Sequence, residues 1–251
     1  MELSFEIIVL GLFLMSLLYS SVGHGGASGY LAILSLSIYA NEGDLWLKQY
    51  AWALNIIVAG VAFLNYKKEG FHNFNLSWPF LITSIPFTLY ASSLKLEGGN
   101  YDFLLSLFLI FAAWKLVKNK NIKKESEGNI PKIYLSLIIG GVIGLVCGLV
   151  GIGGGVLLSP ILVIKGWAKP KTAAATSAVF IWFNSAAGIL GSTVSNHLVS
   201  LDNIVPFAIA VLLGGYIGSK YGSESAQQNS IRYVLCAVLL IAASKRILEI
   251  F

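Results

Sequence analysis

The stretch VGHGGASGYLAI, residues 22–33, recurs 128 positions later as VGIGGGVLLSPI, residues 150–161. Each copy follows one apolar run and opens another. The recurrence predicts that the chain is a duplication whose two halves do related work. Because the flanking runs are apolar enough to enter a bilayer, we expect that work to centre on glycine-rich backbone inside a membrane.

The composition is that of a membrane protein. The chain has 251 residues, of which 56% are hydrophobic and 12% charged, and its mean hydropathy is +0.77. Soluble domains carry about 25% charged residues, so this chain has too little polar sequence to coat a soluble core. The net charge of +5 does not indicate nucleic-acid binding, because the largest basic cluster lies in one linker and is typical of a topology determinant. That cluster is Lys115, Lys118, Lys120, Lys123, Lys124 and Lys132.

Ten apolar segments define the predicted fold. The first half contains residues 5–22, 29–40, 46–65, 76–94 and 101–117. The second half contains residues 133–150, 156–165, 172–192, 203–219 and 231–248. We therefore expect an all-α polytopic membrane protein with a first transmembrane repeat at 1–118, a basic linker at 119–132 and a second transmembrane repeat at 133–251. The N-terminal stretch has no basic region, so we interpret it as the first membrane segment and not as a signal peptide.

The two halves match beyond the glycine stretch. Asn55 corresponds to Asn184, each after an aromatic-rich approach, and Pro79 corresponds to Pro206. Basic residues predict how the halves are oriented. If each half crosses the membrane an odd number of times, the second half is inverted and 13 of the 17 lysines and arginines fall on one side. The positive-inside rule then places the linker in the cytoplasm and both termini outside.

The second segment of each half, 29–40 and 156–165, is too short for an ordinary crossing. At about 1.5 Å per residue each reaches roughly half of a 30 Å hydrocarbon core. Each segment either crosses obliquely or turns back as a re-entrant hairpin, and charge counting does not separate these two possibilities. In both cases we expect the glycine-broken helices of the two inverted repeats to meet near the membrane midplane.

The glycine-rich breaks are the predicted substrate site. Broken backbone survives in a bilayer only where it is buried in protein or lines a polar cavity. The helix that follows each break begins with unpaired N–H groups and the positive end of its dipole, which together favour an anion. Helix packing is the alternative role for glycine in a membrane. It suits the regularly spaced Gly140, Gly141, Gly144 and Gly148 better than the dense GHGG and GIGGG runs.

A few polar residues accompany the glycines. Matched asparagines and nearby hydroxyls are expected to face the same cavity, although each also suits helix–helix bonding. His24 is the ionisable side chain predicted to lie deepest, where it either carries a charge for the anion or stays neutral. The predicted substrate-binding residues are Gly23, His24, Gly25, Gly26, Ser28, Asn55, Gly151, Gly153, Gly154, Gly155, Thr176, Ser177 and Asn184. No catalytic residue, metal site or cofactor is predicted.

Residues 148–191, GLVGIGGGVLLSPILVIKGWAKPKTAAATSAVFIWFNSAAGILG, carry a resemblance to a known family. The G-x-G-G-G-x-x-x-x-P run followed by A-x-A-T-S is similar to the signature of the TauE/SafE family, the sulfite exporters and toluene sulfonate uptake permeases. The resemblance implies a small multi-pass protein of the inner membrane that moves sulfite, thiosulfate or sulfonates, with the glycine motifs as its substrate region. The first copy departs from the pattern, because GHGGAS replaces GxGGG and no proline follows.

The sequence thus predicts a secondary transporter, exporter or permease, for a small sulfur-containing anion. An anion channel with the same glycine-lined site is the alternative, and a membrane-embedded enzyme or assembly factor is a third possibility. No phosphate-binding lysine follows the GIGGG run, so no nucleotide site is predicted. The expected partners are the anion and the lipid bilayer, with no nucleic acid. A coupling proton or ion and a homodimer are left open.

Overall fold

The computed structural model describes residues 4–94, 110, 114, 130–194, 200 and 204–248. These residues form nine long or short α-helices and no strand: α1 Phe5–Ser20, α2 Ala27–Ser35, α3 Asp44–Lys68, α4 Phe74–Ser92, α5 Ile133–Val150, α6 Gly155–Ile164, α7 Pro170–Val194, α8 Ile204–Lys220 and α9 Gln228–Leu248. A 3-10 helix, Ile38–Glu42, precedes α3, and a π-helical turn, Tyr221–Ser225, follows α8. Most of segment 101–117 and of the linker 119–132 lies outside the described residues.

The prediction of an all-helical fold is confirmed for the described residues. Four of the described helices are long and apolar enough to span a bilayer: Asp44–Lys68, Ile133–Val150, Pro170–Val194 and Ile204–Ser225. Two others, Phe5–Ser20 and Gly155–Ile164, are apolar but shorter. Apart from segment 101–117, the predicted segments agree with the described helices within a few residues, except that segment 29–40 is a helix only as far as Ser35 and then forms the 3-10 helix.

The first glycine break turns the chain back on itself. The Tyr19 hydroxyl on α1 lies 2.9 Å from the Ser28 hydroxyl at the start of α2. Further along, a Cβ atom at Gly11 of α1 would lie 3.0 Å from Cδ1 of Ile33 near the end of α2. Helix α2 is therefore antiparallel to α1 and returns about 13 Å toward the end at which α1 began. Helices α1 and α2 thus form a hairpin at the first glycine break.

Helices α3 and α7, which correspond to each other in the duplication, pack antiparallel. Near the start of α3, the Gln49 amide donates to the Ser192 hydroxyl near the end of α7, at 3.2 Å. Two turns further, the Asn55 amide donates to the Ser185 hydroxyl at 3.3 Å. Tyr66, near the end of α3, packs with Ala174 near the start of α7.

Glycine stripes join the outer helices to this central pair. On α5, a Cβ atom at Gly140, Gly144 or Gly148 would press on the backbone of α4. On α8, Gly214 and Gly218 meet the backbone of α1 in the same way. Close approach of two backbones is what small residues permit in membrane helices. By sequence, α1 corresponds to α5 and α4 corresponds to α8. The pair α4–α5 in one place and the pair α8–α1 in the other are therefore equivalent. The glycines lie on α5 in the first pair and on α8 in the second.

Candidate functional site at the two glycine breaks

The two breaks share one backbone conformation. Gly23 and Gly26 have φ angles of +74° and +98°, and Gly151 and Gly154 have φ angles of +81° and +75°. Each glycine of the first pair lies 128 positions before its counterpart. The left-handed region penalises residues with a Cβ, so the backbone requires glycine at these four positions. Gly26 and Gly154 are the residues directly before α2 and α6.

The structure brings the two breaks together. A Cβ atom at Gly153 would lie 2.8 Å from Nδ2 of Asn55, a residue that also contacts the first break. A Cβ atom at Gly155 would lie 3.0 Å from Cδ2 of His24. Ile181 of α7 packs against both Gly153 and Gly155. Gly153 and Gly155 of the second break thus lie against side chains of the first half, with no room for an added Cβ atom.

Asn55 connects the first break to α7. Its Oδ1 atom accepts a hydrogen bond from the backbone N–H of Ala27, the first residue of α2, at 3.0 Å. Its Nδ2 atom donates to Ser185, as described above. The Tyr30 hydroxyl donates to the carbonyl of Gly25 at 2.5 Å. A side chain more than ten residues into α3 therefore caps α2, which fixes the break against the central helix pair.

His24 begins a chain of hydrogen bonds that enters the second half. Its Nε2 atom lies 3.0 Å from the Ser159 hydroxyl on α6, and that hydroxyl lies 2.5 Å from the Ser177 hydroxyl on α7. All three side chains are buried. The other imidazole nitrogen, Nδ1, has no hydrogen-bond partner within the described part of the chain. His24 thus joins the first break to the half-helix that follows the second.

The start of α6 carries unpaired donors. Among the described residues, no hydrogen bond satisfies the backbone N–H groups of Gly153, Gly154, Gly155 or Val156. The first N–H groups of any helix lack partners within the helix, and here no side chain caps them. These donors, together with the positive end of the helix dipole, make this end of α6 suited to an anion.

The remaining predicted residues are placed as follows. Ser28 bonds to Tyr19, and the Thr176 hydroxyl is buried with no hydrogen-bond partner among the described atoms. Asn184 does not join the cluster at the breaks. Its amide donates to Ser84 of α4 and accepts from Thr88 of α4, so it fastens α4 to α7.

Sequence reasoning missed three residues near the breaks. Ser159 and Ser185 bond directly to His24 and Asn55, but an isolated serine in an apolar helix usually bonds to its own backbone. The third is Lys48, because a Cβ atom at Gly151 would lie 2.5 Å from its Cγ atom. The signal for Lys48 is its spacing of seven residues before Asn55, which places both on one face of α3.

The electrostatics of the cluster favour an anion. The buried polar side chains within the described ranges are hydroxyls, amides, His24 and Lys171, with no carboxylate among them. An aspartate or glutamate would be needed to offset the charge of a buried cation. An anion at the start of α6 would instead receive hydrogen bonds from N–H groups that otherwise stay unpaired.

Comparison with known proteins identifies relatives along nearly the whole chain. The sequence model of the family described as Sulfite exporter TauE/SafE matches residues 7–246. The probable membrane transporter protein y4hK of Sinorhizobium fredii is 33% identical over 242 residues, which cover 95% of this chain and 96% of the relative. YunE of Bacillus subtilis, also described as a probable membrane transporter protein, is 28% identical over 63% of this chain and 61% of its own length. No solved structure matches the chain significantly.

Proposed function

Because the chain belongs to the TauE/SafE family of membrane transporters, we propose that it moves a small sulfur-containing anion across the cytoplasmic membrane by secondary transport. Sulfite, thiosulfate and organosulfonates are the proposed substrates. The family description mentions sulfite, whereas the printed names of the relatives specify no substrate. The choice of a sulfur oxyanion therefore depends on the family description and on the chemistry of the glycine breaks.

One observation carries the proposal: the unpaired N–H groups at the start of α6 lie against the first glycine break. An unpaired buried N–H group costs about 1–3 kcal/mol, so a ligand with several acceptor oxygens is well matched to this end of the helix. Sulfite, thiosulfate and sulfonates each present such oxygens on one sulfur centre. The predicted residues at both breaks remain proposed ligands in this scheme.

We further propose that the two halves are inverted repeats with a cytoplasmic linker at 119–132. The antiparallel packing of α3 on α7 supports this arrangement, because corresponding helices of inverted repeats run in opposite directions. The unequal distribution of lysine and arginine supports the cytoplasmic placement of the linker. In this scheme the junction of the two breaks lies near the membrane midplane.

Tight packing favours a carrier over an anion channel. Ile181 presses on both Gly153 and Gly155, and the His24 ring also contacts Gly155. An anion reaches the N–H groups of α6 only after these side chains move. A carrier moves them once in each cycle of alternating access, whereas a channel needs a continuous open path. Saturable flux that is stimulated by counterflow would distinguish the carrier.

The test is uptake by the purified protein in proteoliposomes, with sulfite, thiosulfate, methanesulfonate and sulfate compared. We expect saturable uptake of at least one sulfur anion and stimulation by the same anion inside the vesicles. Gly153→Ala and Gly155→Ala should weaken binding at least about tenfold, roughly 1.4 kcal/mol, because a methyl group at either position occupies the approach to the N–H groups.

Gly141→Ala is the matched control for these variants. Gly141 is a buried glycine of α5, and its added Cβ would meet only side-chain atoms of Phe87 and Thr83 on α4, the nearest at 3.3 Å. Binding by this variant should equal that of the wild type. If folded Gly153→Ala and Gly155→Ala proteins bind the anion as tightly as the wild type does, these glycines only pack helices. If none of the four anions shows saturable uptake, the transport proposal itself is overturned.

A further inference from the structure

The indole N–H group of Trp52 is a buried hydrogen-bond donor with no acceptor among the described residues. The residue is 1% exposed, and its indole Nε1 has no hydrogen-bond partner within the described ranges. An indole N–H only donates, and a ring cannot rotate about one bond to find an acceptor as a hydroxyl does. Buried unpaired donors are rare in native proteins. This N–H group is therefore available to an acceptor that comes from outside the described chain.

Trp52 lies on the same face of α3 as the two residues that contact the second glycine break. Lys48, Trp52 and Asn55 are spaced at i, i+4 and i+7, so they share one face of the helix. The Lys48 stem contacts Gly151, and the Asn55 amide contacts Gly153. Trp52 lies between these two contacts, about 4.5 Å along the helix axis from Asn55.

The polar side chains of α3 nearest to Trp52 on this side have partners on α7. On one side of Trp52, Gln49 donates to Ser192, and on the other side Asn55 donates to Ser185. At the level of Trp52, α7 presents Gly188, whose Cβ atom would lie 2.5 Å from the indole Cε2. Glycine offers no side-chain acceptor there. The indole N–H group is therefore unpaired because glycine occupies position 188 opposite it.

We propose that the indole N–H of Trp52 donates a hydrogen bond to the transported oxyanion as the anion passes between α3 and the second glycine break. This inference depends on the proposed function. The indole N–H group donates to an acceptor oxygen and has no lone pair with which to bind a metal ion or a proton. Trp52 therefore contributes to the choice of an oxyanion as substrate, and a hydrogen bond with a charged partner is stronger than one between neutral groups.

The test compares Trp52→Phe with Trp182→Phe. Phenylalanine keeps an aromatic ring and removes the N–H group. Trp182 is the matched control because it packs on Gly60 of α3, as Trp52 packs on Gly188 of α7, yet it is 39% exposed. Equilibrium binding of methanesulfonate, which stays ionised at all relevant pH values, should weaken at least about tenfold in Trp52→Phe. It should change less than about twofold in Trp182→Phe.

A second measurement separates ligand contact from a structural role. In protein labelled with 15N-tryptophan, the six tryptophans give six indole N–H signals. The Trp52 signal is assigned by its loss in Trp52→Phe. Methanesulfonate should move the wild-type Trp52 signal downfield and leave in place the Trp182 signal, which is assigned by its loss in Trp182→Phe.

The outcomes distinguish this inference from the proposal on which it depends. If the wild type binds methanesulfonate or another sulfur anion while the Trp52 signal stays fixed and Trp52→Phe binds equally well, Trp52 is not a ligand and the transport proposal stands. If the wild type binds no oxyanion, both the inference and the transport proposal are overturned. A shift of the Trp52 signal together with weaker binding by Trp52→Phe supports the inference.

Discussion

The imidazole Nε2 of His24, on the first glycine break, lies 3.0 Å from the hydroxyl of Ser159 on α6, 135 positions later in the chain. This contact joins a half of the molecule that has GHGG to a half that has GIGGG. The Ser159 hydroxyl then lies 2.5 Å from that of Ser177 on α7. Two hydrogen bonds thus connect the first break to the half-helix α6 and to the central helix α7.

Removal of the Ser159 hydroxyl should destabilise the protein. Ser159→Ala leaves both His24 Nε2 and the Ser177 hydroxyl without this partner in a buried site, and we expect a loss of about 1–3 kcal/mol. Thermal unfolding in detergent measures the change. Thr193→Ala is the control, because that exposed hydroxyl bonds only to the Leu190 carbonyl one turn earlier. Equal unfolding temperatures for Ser159→Ala and the wild type would show that the buried chain contributes no stability.

The glycine stripe of α5 should be sensitive to an added methyl group at Gly144 and tolerant at Gly141. At Gly144 the new Cβ would meet the backbone of Ser84, which cannot move without displacing α4. We expect Gly144→Ala to cost about 1–3 kcal/mol. Gly141→Ala meets the Phe87 ring at 3.3 Å, and the ring can turn aside. A similar loss of stability in both variants would contradict backbone contact as the cause.

His72, in the loop between α3 and α4, should make stability depend on pH. Its Nε2 lies 3.1 Å from the Ser77 hydroxyl, and its ring packs edge-on against Phe63. Burial of the ring, and then the nearby charge of Lys67, hold the pKa of His72 below its ordinary value of 6.5. The unfolded chain therefore binds the proton more readily, so this contribution to stability is complete above about pH 6.5 and decreases as the pH falls below it.

The measurement is thermal unfolding of the wild type and His72→Gln between pH 5 and pH 8. Between pH 8 and pH 5, the unfolding temperature of the wild type should fall further than that of the variant. Glutamine keeps hydrogen-bonding capacity but binds no proton in this range. Parallel curves for the two proteins would exclude His72 as the source of the acid sensitivity.

Single cysteines at the two ends of α3 test the proposed topology. Asn41 and Glu69 are both exposed and lie just outside opposite ends of this helix. We expect Asn41→Cys to react with an impermeant thiol reagent in intact cells, and Glu69→Cys to react only after the membrane is opened. The native Cys147 and Cys236 are buried, so their background should be low. The reverse labelling pattern would overturn the orientation assigned from the positive-inside rule.

The helical segments were predictable because apolar runs of bilayer length have few alternatives. The glycine breaks were predictable as well, since dense glycine destabilises a helix. The antiparallel packing of α2 on α1 was not predictable from the sequence. Charge counts do not show which helix α2 lies against, and only packing, such as that of Ile33 on Gly11, shows it.

The partners of polar side chains were the least predictable part. Asn55 and Asn184 occupy matching positions, yet one caps α2 and the other fastens α4 to α7. The difference arises because the Ser84 and Thr88 hydroxyls of α4 lie within hydrogen-bond distance of the Asn184 amide. At the matching places α8 has Val211 and Gly215, whose side chains have no polar atoms. The inverted orientation of the two halves is a prediction that the labelling experiment tests.

The reciprocal contacts of Trp52 on Gly188 and Trp182 on Gly60 bear on the origin of the chain. Each half supplies one tryptophan and one glycine notch for the other half. Contacts of this reciprocal kind are what two copies of one half would make if they packed in opposite orientations. The two sites are not equivalent in this chain, because Trp52 is 1% exposed and Trp182 is 39% exposed. A chain with two such contacts can therefore use one tryptophan inside the protein and leave the other at its surface.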